Sequence, residues 1–122
     1  MAEVAADKNC PFCRASGLLE NKPLASSAGA YVIEATTSPG NYLIIPEDHC
    51  TSLEQLPDTW WQDVKACLAG LKDLGDYNLS INLGEQAGQR LKHLHFWVIR
   101  RHAGKPSSAK GLAALIALVD GA

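Results

Sequence analysis

Hydrophobic and polar positions along the chain follow two different periods. Ala30-Tyr31-Val32-Ile33-Glu34 is rich in β-formers, and Thr36-Thr37-Ser38-Pro39-Gly40 breaks it. Residues 41–45 read as a second strand stopped by Pro46, and the short turn-rich link favours antiparallel pairing. Then the period changes. Trp60, Val64, Cys67, Leu71 and Leu74 recur at steps of 4, 3, 4 and 3, which predicts a helix over residues 59–74 with one continuous apolar face. Thr59 and Gln62 have the spacing of a capping box, and Gly75 stands where a helix would stop. Trp60 and Trp61 diverge by ~100° on a helix, so one faces the core and the other covers a neighbouring loop or a partner, or is simply a partly exposed aromatic. Residues 77–83 alternate again, residues 84–89 form a glycine-bearing loop, and residues 91–100 read as the last strand. A second short helix is expected over residues 108–119, with Gly111 unfavourable near its start. The order β-β-α-β-β predicts an α+β domain, a mostly antiparallel sheet with helices on one side.

Composition narrows the class. Of 122 residues, 47% are apolar and 20% charged, which suits one globular domain and excludes a disordered or collagen-like chain. Eleven Lys and Arg against thirteen Asp and Glu leave a net charge of −2, so stable nucleic-acid binding is not expected. The apolar run at residues 112–119 is far short of the ~20 needed to span a bilayer. Being apolar on every face, it is expected to dock on the body or across a dimer. Residues 1–9 carry acids and a base with no apolar core, and read as a flexible tail without an export signal. A cytoplasmic location follows as the expectation. There the thiols of Cys10, Cys13, Cys50 and Cys67 stay reduced, so metal binding or burial is favoured over disulfides.

The segment His93-Leu94-His95-Phe96-Trp97-Val98-Ile99 carries most of the chemical information. On a strand, His93, His95 and Trp97 share one face, while Leu94, Phe96 and Val98 turn to the core. Two imidazoles then stand about 7 Å apart, each able to offer a nucleophilic nitrogen near neutral pH. Ahead of them, Gly84 and Gly88 permit a loop whose amides could cradle an anion, flanked by Arg90, Lys92, Arg100 and Arg101. Taken singly, each of these cations is better explained as solvated surface charge than as a phosphate contact.

The run Asn82-Leu83-Gly84-Glu85-Gln86-Ala87-Gly88-Gln89-Arg90-Leu91-Lys92-His93-Leu94-His95 closely resembles the signature of the histidine-triad superfamily. Pro39-Gly40-Asn41-Tyr42-Leu43-Ile44-Ile45-Pro46 and Cys10-Pro11-Phe12-Cys13 are similar to the zinc-containing bacterial members. The resemblance extends over roughly residues 10–101, and a histidine-triad domain is expected over 10–106, with residues 107–122 as an appended helical segment. It implies a sheet of about five strands with one long helix, continued across a homodimer. It also implies a hydrolase or transferase acting at the α-phosphorus of a nucleotide or nucleotide conjugate through a nucleotidyl-histidine intermediate. By position, His95 would be the nucleophile. Asn82, the amides around Gly88, Gln89 and Arg90 would hold the phosphate and its developing charge. Glu34 would match the family's ribose-binding acid if one residue were missing from the following turn; a plain charge at a strand end is the other reading.

Two positions depart from the family pattern. Trp97 occupies the third triad position, and indole offers one N–H donor but no proton shuttle. Asn41 stands where many members carry another histidine. Loss of general-acid help costs ~10²–10⁴ in rate, so turnover is expected to be weak or restricted to good leaving groups. A nucleotide-binding module with impaired catalysis, or a dimeric scaffold closed by Trp97, are the alternatives.

Cys10-x-x-Cys13 alone supplies two of four ligands for a closed zinc site. It also has the thiol-redox spacing, but that reading needs a preceding strand, and only a polar tail precedes it. The family resemblance implies that His49 and His93 complete a structural Cys2His2 zinc site, with Cys50 the substitute if one ligand is wrong. Cys67, on the apolar helix face, reads as a small buried hydrophobe, and His102 as solvent-exposed.

Overall fold

The computed structural model describes residues 9–121, so the expected tail lies outside the described residues except for Asn9. Strands β1 (Ala25–Ser27), β2 (Ala30–Glu34), β3 (Tyr42–Pro46), β4 (Asp76–Ile81) and β5 (Phe96–Arg101) form one sheet. Their order is β1-β2-β3-β5-β4, with every neighbouring pair antiparallel. Helix α1 (Trp60–Ala69) follows β3 and precedes β4, and α2 (Leu112–Asp120) follows β5. This is the α+β architecture that the alternation and the helical period predict. The short polar β1 carries no apolar alternation and was not predicted.

The two faces of the sheet bury different things. Ala30, Val32, Ile44, Phe96 and Val98 turn to α1, which contributes Trp60, Val64 and Cys67. Burying each of the larger side chains contributes roughly 1.5–3 kcal/mol. Tyr31, Ile33, Ala35, Leu43 and Ile45 form the opposite face, and Phe12, Leu19 and Trp97 pack on it. Period-two alternation along β2, β3 and β5 makes this division.

Helix α1 is shorter than its apolar period suggests. Gly70 ends it, and a Cβ there would stand 2.8 Å from the Cβ of Ala25, so the helix terminus rests directly on β1. Leu71 and Leu74 still pack on the same core, but from the irregular segment after the helix, where Asp73 has a φ of 53°. Thr59 makes no side-chain cap. Its φ and ψ of −85° and 2° lie outside the extended region an N-cap adopts, and its carbonyl instead accepts from the amides of Gln62 and Asp63. Trp60 is buried, while Trp61 is 56% exposed and touches Phe96 edge-on. Asp63 is buried on the inner face of α1, accepting from the Ser27 hydroxyl at 2.6 Å and the Gly29 amide at 3.3 Å. It ties the helix to the β1–β2 hairpin.

The last strand begins at Phe96, later than predicted. Residues 91–95 approach it irregularly, because the Leu94 amide donates to the Cys50 carbonyl and not to β3. Beyond β5, the guanidinium of Arg101 donates to the Asn78 side chain and to the carbonyls of Ser107 and Lys110. This straps the segment after the strand to β4. Helix α2 stands off the domain, with Ile116, Leu118 and Val119 at 59%, 67% and 83% exposure. Packing on its own chain, one half of the docking expectation, is therefore not what the structure has. No helix among the described residues is long and apolar enough to cross a membrane.

Candidate active site and metal centre

Two centres lie side by side on the sheet face away from α1. The first gathers Cys10 and Cys13 from the N-terminal turn, His49 from the loop after β3, and His93 from the segment before β5. Their ligand atoms all lie within 4.8 Å of one another. The Cys13 Sγ lies 3.2 Å from His49 Nδ1, and both sulfurs lie 3.4 Å from His93 Nδ1. Tetrahedral zinc, with bonds of about 2.3 Å to sulfur and 2.0 Å to nitrogen, separates such ligand atoms by roughly 3.5 Å. The donor set and spacing therefore fit zinc. Outer contacts agree: His93 Nε2–H donates to the Pro46 carbonyl at 2.8 Å, which leaves Nδ1 as the ligand atom. Burial pushes the His93 pKa down to about 4, with the Pro46 bond opposing, so the ring is in the neutral form that a metal requires. The Arg14–Glu47 ion pair, 2.6 Å at its shortest, fastens the cysteine turn to the strand end that leads to His49. Cys50 is not part of the cluster; its thiol is directed at the Gln55 carbonyl, 3.7 Å away. Cys67 is buried in the α1 core as expected, and burial raises its pKa to about 11. His102 is exposed.

The second centre is a pocket of about 310 Å³ beside the first. Ile33, Leu43 and Phe12 give it apolar walls, and Gly88, Arg90, His95 and Trp97 line it too. His95 Nδ1–H donates to the His93 carbonyl at 2.9 Å, which fixes the tautomer and leaves a lone pair on Nε2. No partner for Nε2 is found among the described residues. Burial holds the His95 pKa below its usual value, with the His93 carbonyl bond opposing. The sequence places the two imidazoles on the strand face opposite Leu94, Phe96 and Val98. Both are nearly enclosed there, at 1% exposure for His93 and 8% for His95. Phe12 stands edge-on to both rings, at 6.1 Å from His93 and 5.1 Å from His95, and His93 is further enclosed by Cys10, Cys13, His49 and the Pro46 carbonyl. The parity of the alternation nevertheless holds, since His95 and Trp97 line the pocket while Phe96 and Val98 meet α1.

Other candidate residues are placed unevenly. Trp97 has its ring centroid 6.5 Å from that of His95. Gly88, at φ 93°, sits against Asn82: a Cβ on it would meet the Asn82 amide nitrogen at 3.4 Å. Gln89 braces the loop from within, accepting from the Gly84 amide at 2.8 Å and donating to the carbonyls of Leu91 and Lys92. Its side chain is thus committed to loop shape and not aimed at a phosphate. Asn41 accepts from the Arg100 amide at 2.8 Å and donates to Ser38, at the far end of β5 from His95. Glu34 is exposed, and its carboxylate accepts from the Gly40 amide at 2.8 Å. Strand alternation puts Ile33, and not Glu34, on the pocket wall, so the ribose-acid expectation is not met at Glu34. Sequence reasoning missed Phe12 and Ile33. The only signal for Phe12 was an aromatic residue between two candidate ligands.

The HIT domain family model matches residues 28–104. An adenosine 5'-monophosphoramidase of Schizosaccharomyces pombe is 32% identical over 110 residues, covering 85% of this chain and 80% of that protein. An uncharacterised HIT-like protein of Methanocaldococcus jannaschii is 35% identical over 71 residues, 53% of this chain and 55% of that protein. Among solved structures, a zinc-bound histidine-triad family protein from Mycobacterium smegmatis superposes with a TM-score of 0.63 at 22% identity, covering 93% of this chain and 98% of that one. With a matching domain model, a relative alike over most of its length and the same fold, the chain belongs to the histidine-triad family.

Proposed function

We propose that the pocket binds a nucleotide or nucleotide conjugate, and that His95 attacks its α-phosphorus. The observation that carries this reading is the tautomer. With Nδ1–H given to the His93 carbonyl, the Nε2 lone pair is left for a ligand of the pocket that His95 lines together with Gly88 and Arg90. In the first step the Nε2–P bond forms and the bond from phosphorus to the leaving oxygen or nitrogen breaks, with the leaving group taking a proton from solvent. Water then cleaves the Nε2–P bond and regenerates the imidazole. Arg90, the amides at Gly88 and Asn82 are the groups that would balance the phosphoryl charge. Zinc would be held by Cys10, Cys13, His49 and His93, and when bound it supplies cross-linking of the scaffold under His95. The name of the fission-yeast relative favours phosphoramidates as the substrate class.

A nucleotide-binding module of low turnover is the second reading. It is favoured by Trp97 beside His95, and by the prior engagement of Asn41 and Gln89 elsewhere. One experiment separates the two. Intact-protein mass spectrometry after incubation with adenosine 5'-phosphoramidate is expected to reveal one nucleotidyl group on wild type and none on His95→Asn. Binding without a trapped adduct or released monophosphate selects the module, and no binding rejects both. A homodimer joined through the open edge of β4 belongs to the same proposal, with α2 covered by the partner copy; light scattering that finds a monomer at micromolar concentration rejects it.

A further inference from the structure

The turn that supplies two metal ligands is also a wall of the pocket. Pro11 and Phe12 lie between Cys10 and Cys13, and both line the cavity that contains His95. The Phe12 ring stands edge-on to the His95 ring at 75° and to the His93 ring at 84°. Among the described residues it is the one side chain in ring contact with an imidazole from each centre. Its backbone is held in two ways. The Phe12 carbonyl accepts from the hydroxyl of fully buried Tyr31, and the turn closes with the Cys13 amide on the Cys10 carbonyl at 3.2 Å.

With only two residues between the cysteines, drawing both sulfurs onto one ion fixes where Phe12 stands. Without that cross-link, the turn keeps the Tyr31 bond and the Arg14–Glu47 ion pair, but nothing ties its two sulfurs to His49 and His93 at a common point. His95 is itself held at Nδ1 by a carbonyl and across its ring by Phe12 and Trp97. Any shift of the turn therefore changes both the shape of the pocket and the support of the imidazole in it.

We propose that Phe12 is a positioning residue that couples occupancy of the metal centre to nucleotide binding in the His95 pocket. The proposal rests on the metal and nucleotide assignments made above. Coupling between two sites is reciprocal, so metal must strengthen nucleotide binding by the same factor as nucleotide strengthens metal binding. The expected factor is about 10-fold, inside the range usual for such couplings.

The test uses full-length protein with adenosine 5'-monophosphate and zinc as probes. Calorimetry of zinc-loaded and chelator-treated wild type should give about 10-fold tighter monophosphate binding to the loaded form. Competition with a chromogenic chelator should give zinc affinity raised by the same factor when the monophosphate is present. Phe12→Ala keeps all four ligands, so it should retain one zinc per chain yet bind the monophosphate about 10-fold more weakly when loaded, with no reciprocal effect on zinc. That arm stands even if metal-free wild type does not stay folded. A merely structural loss would lower zinc affinity as well, and circular dichroism would register it. Equal monophosphate affinity of loaded wild type and loaded Phe12→Ala overturns the coupling alone. No monophosphate binding by loaded wild type overturns the nucleotide reading and the coupling with it.

Discussion

Replacing Trp97 by histidine tests the chemical reading most directly. Trp97 pairs with Leu43 on β3 and Ser80 on β4, lines the pocket, and lies 6.5 Å from His95 between ring centroids. Its side chain can donate one hydrogen bond but cannot deliver a proton and recover it. Histidine at the same register would face the same pocket, because alternation on β5 fixes the direction. General-acid catalysis is worth ~10²–10⁴, and a group not evolved in place captures only part of it, so a gain of about 10- to 100-fold is expected. That gain should depend on the leaving group. It should appear with basic amines, which need protonation to depart, and vanish with leaving groups that are stable as anions. The stability cost is about 1–3 kcal/mol, below that of a fully buried tryptophan truncation, because Trp97 is half-buried. Steady-state hydrolysis of a series of adenylyl amidates and esters, graded by leaving-group basicity, measures the slope. Trp97→Phe controls for lost indole without an added acid. Equal gains across the series, or the same gain from Trp97→Phe, would refute proton supply and leave cavity size as the cause.

Other expectations concern the metal, the scaffold and pH. Elemental analysis of wild type should find close to one zinc per chain, and Cys13→Ser should lose it, since Cys13 neighbours both histidine ligand atoms. Asp63→Ala should cost about 3 kcal/mol in urea denaturation, because Ser27 and Gly29 lose a shared buried carboxylate acceptor. A change below 0.5 kcal/mol, on the order of an ordinary surface substitution, would argue that the hairpin closes without it. Metal-free protein should lose stability as pH falls from about 6.5 to about 4. The folded His93 pKa is lowered, so the unfolded chain takes up the proton first; the contribution is whole above that window and gone below it. Denaturation midpoints that stay flat across that window would contradict the enclosed position of His93.

The alternation and the helical period sufficed for β2, β3, β4 and the buried face of α1, because those residues follow one period without interruption. The extent of α1 was misread because Gly70 yields to the close approach of Ala25, a tertiary contact that no local pattern encodes. At the site, the metal cluster was legible through the family resemblance, and its geometry was not. Glu34 was misassigned because a one-residue shift on a strand exchanges faces, and Ile33 holds the pocket side. Phe12 went unnoticed since a phenylalanine between two cysteines has no periodicity to reveal its target. Gln89 and Asn41 have suitable chemistry, but their hydrogen bonds are spent on the loop and on the Arg100 amide.

The Arg101 strap has a consequence for assembly. Its last anchor is the Lys110 carbonyl, and α2 begins at Leu112, so a single residue separates the fastening from the helix. A tether of that length spans under about 10 Å. The greasy helix therefore cannot wander across the molecule in search of cover; whatever shelters it must come to the end of the sheet where β4 and β5 meet Arg101. Cutting the strap with Arg101→Ala would lengthen the leash to roughly ten residues, and so widen the territory in which an apolar helix could find an unintended neighbour.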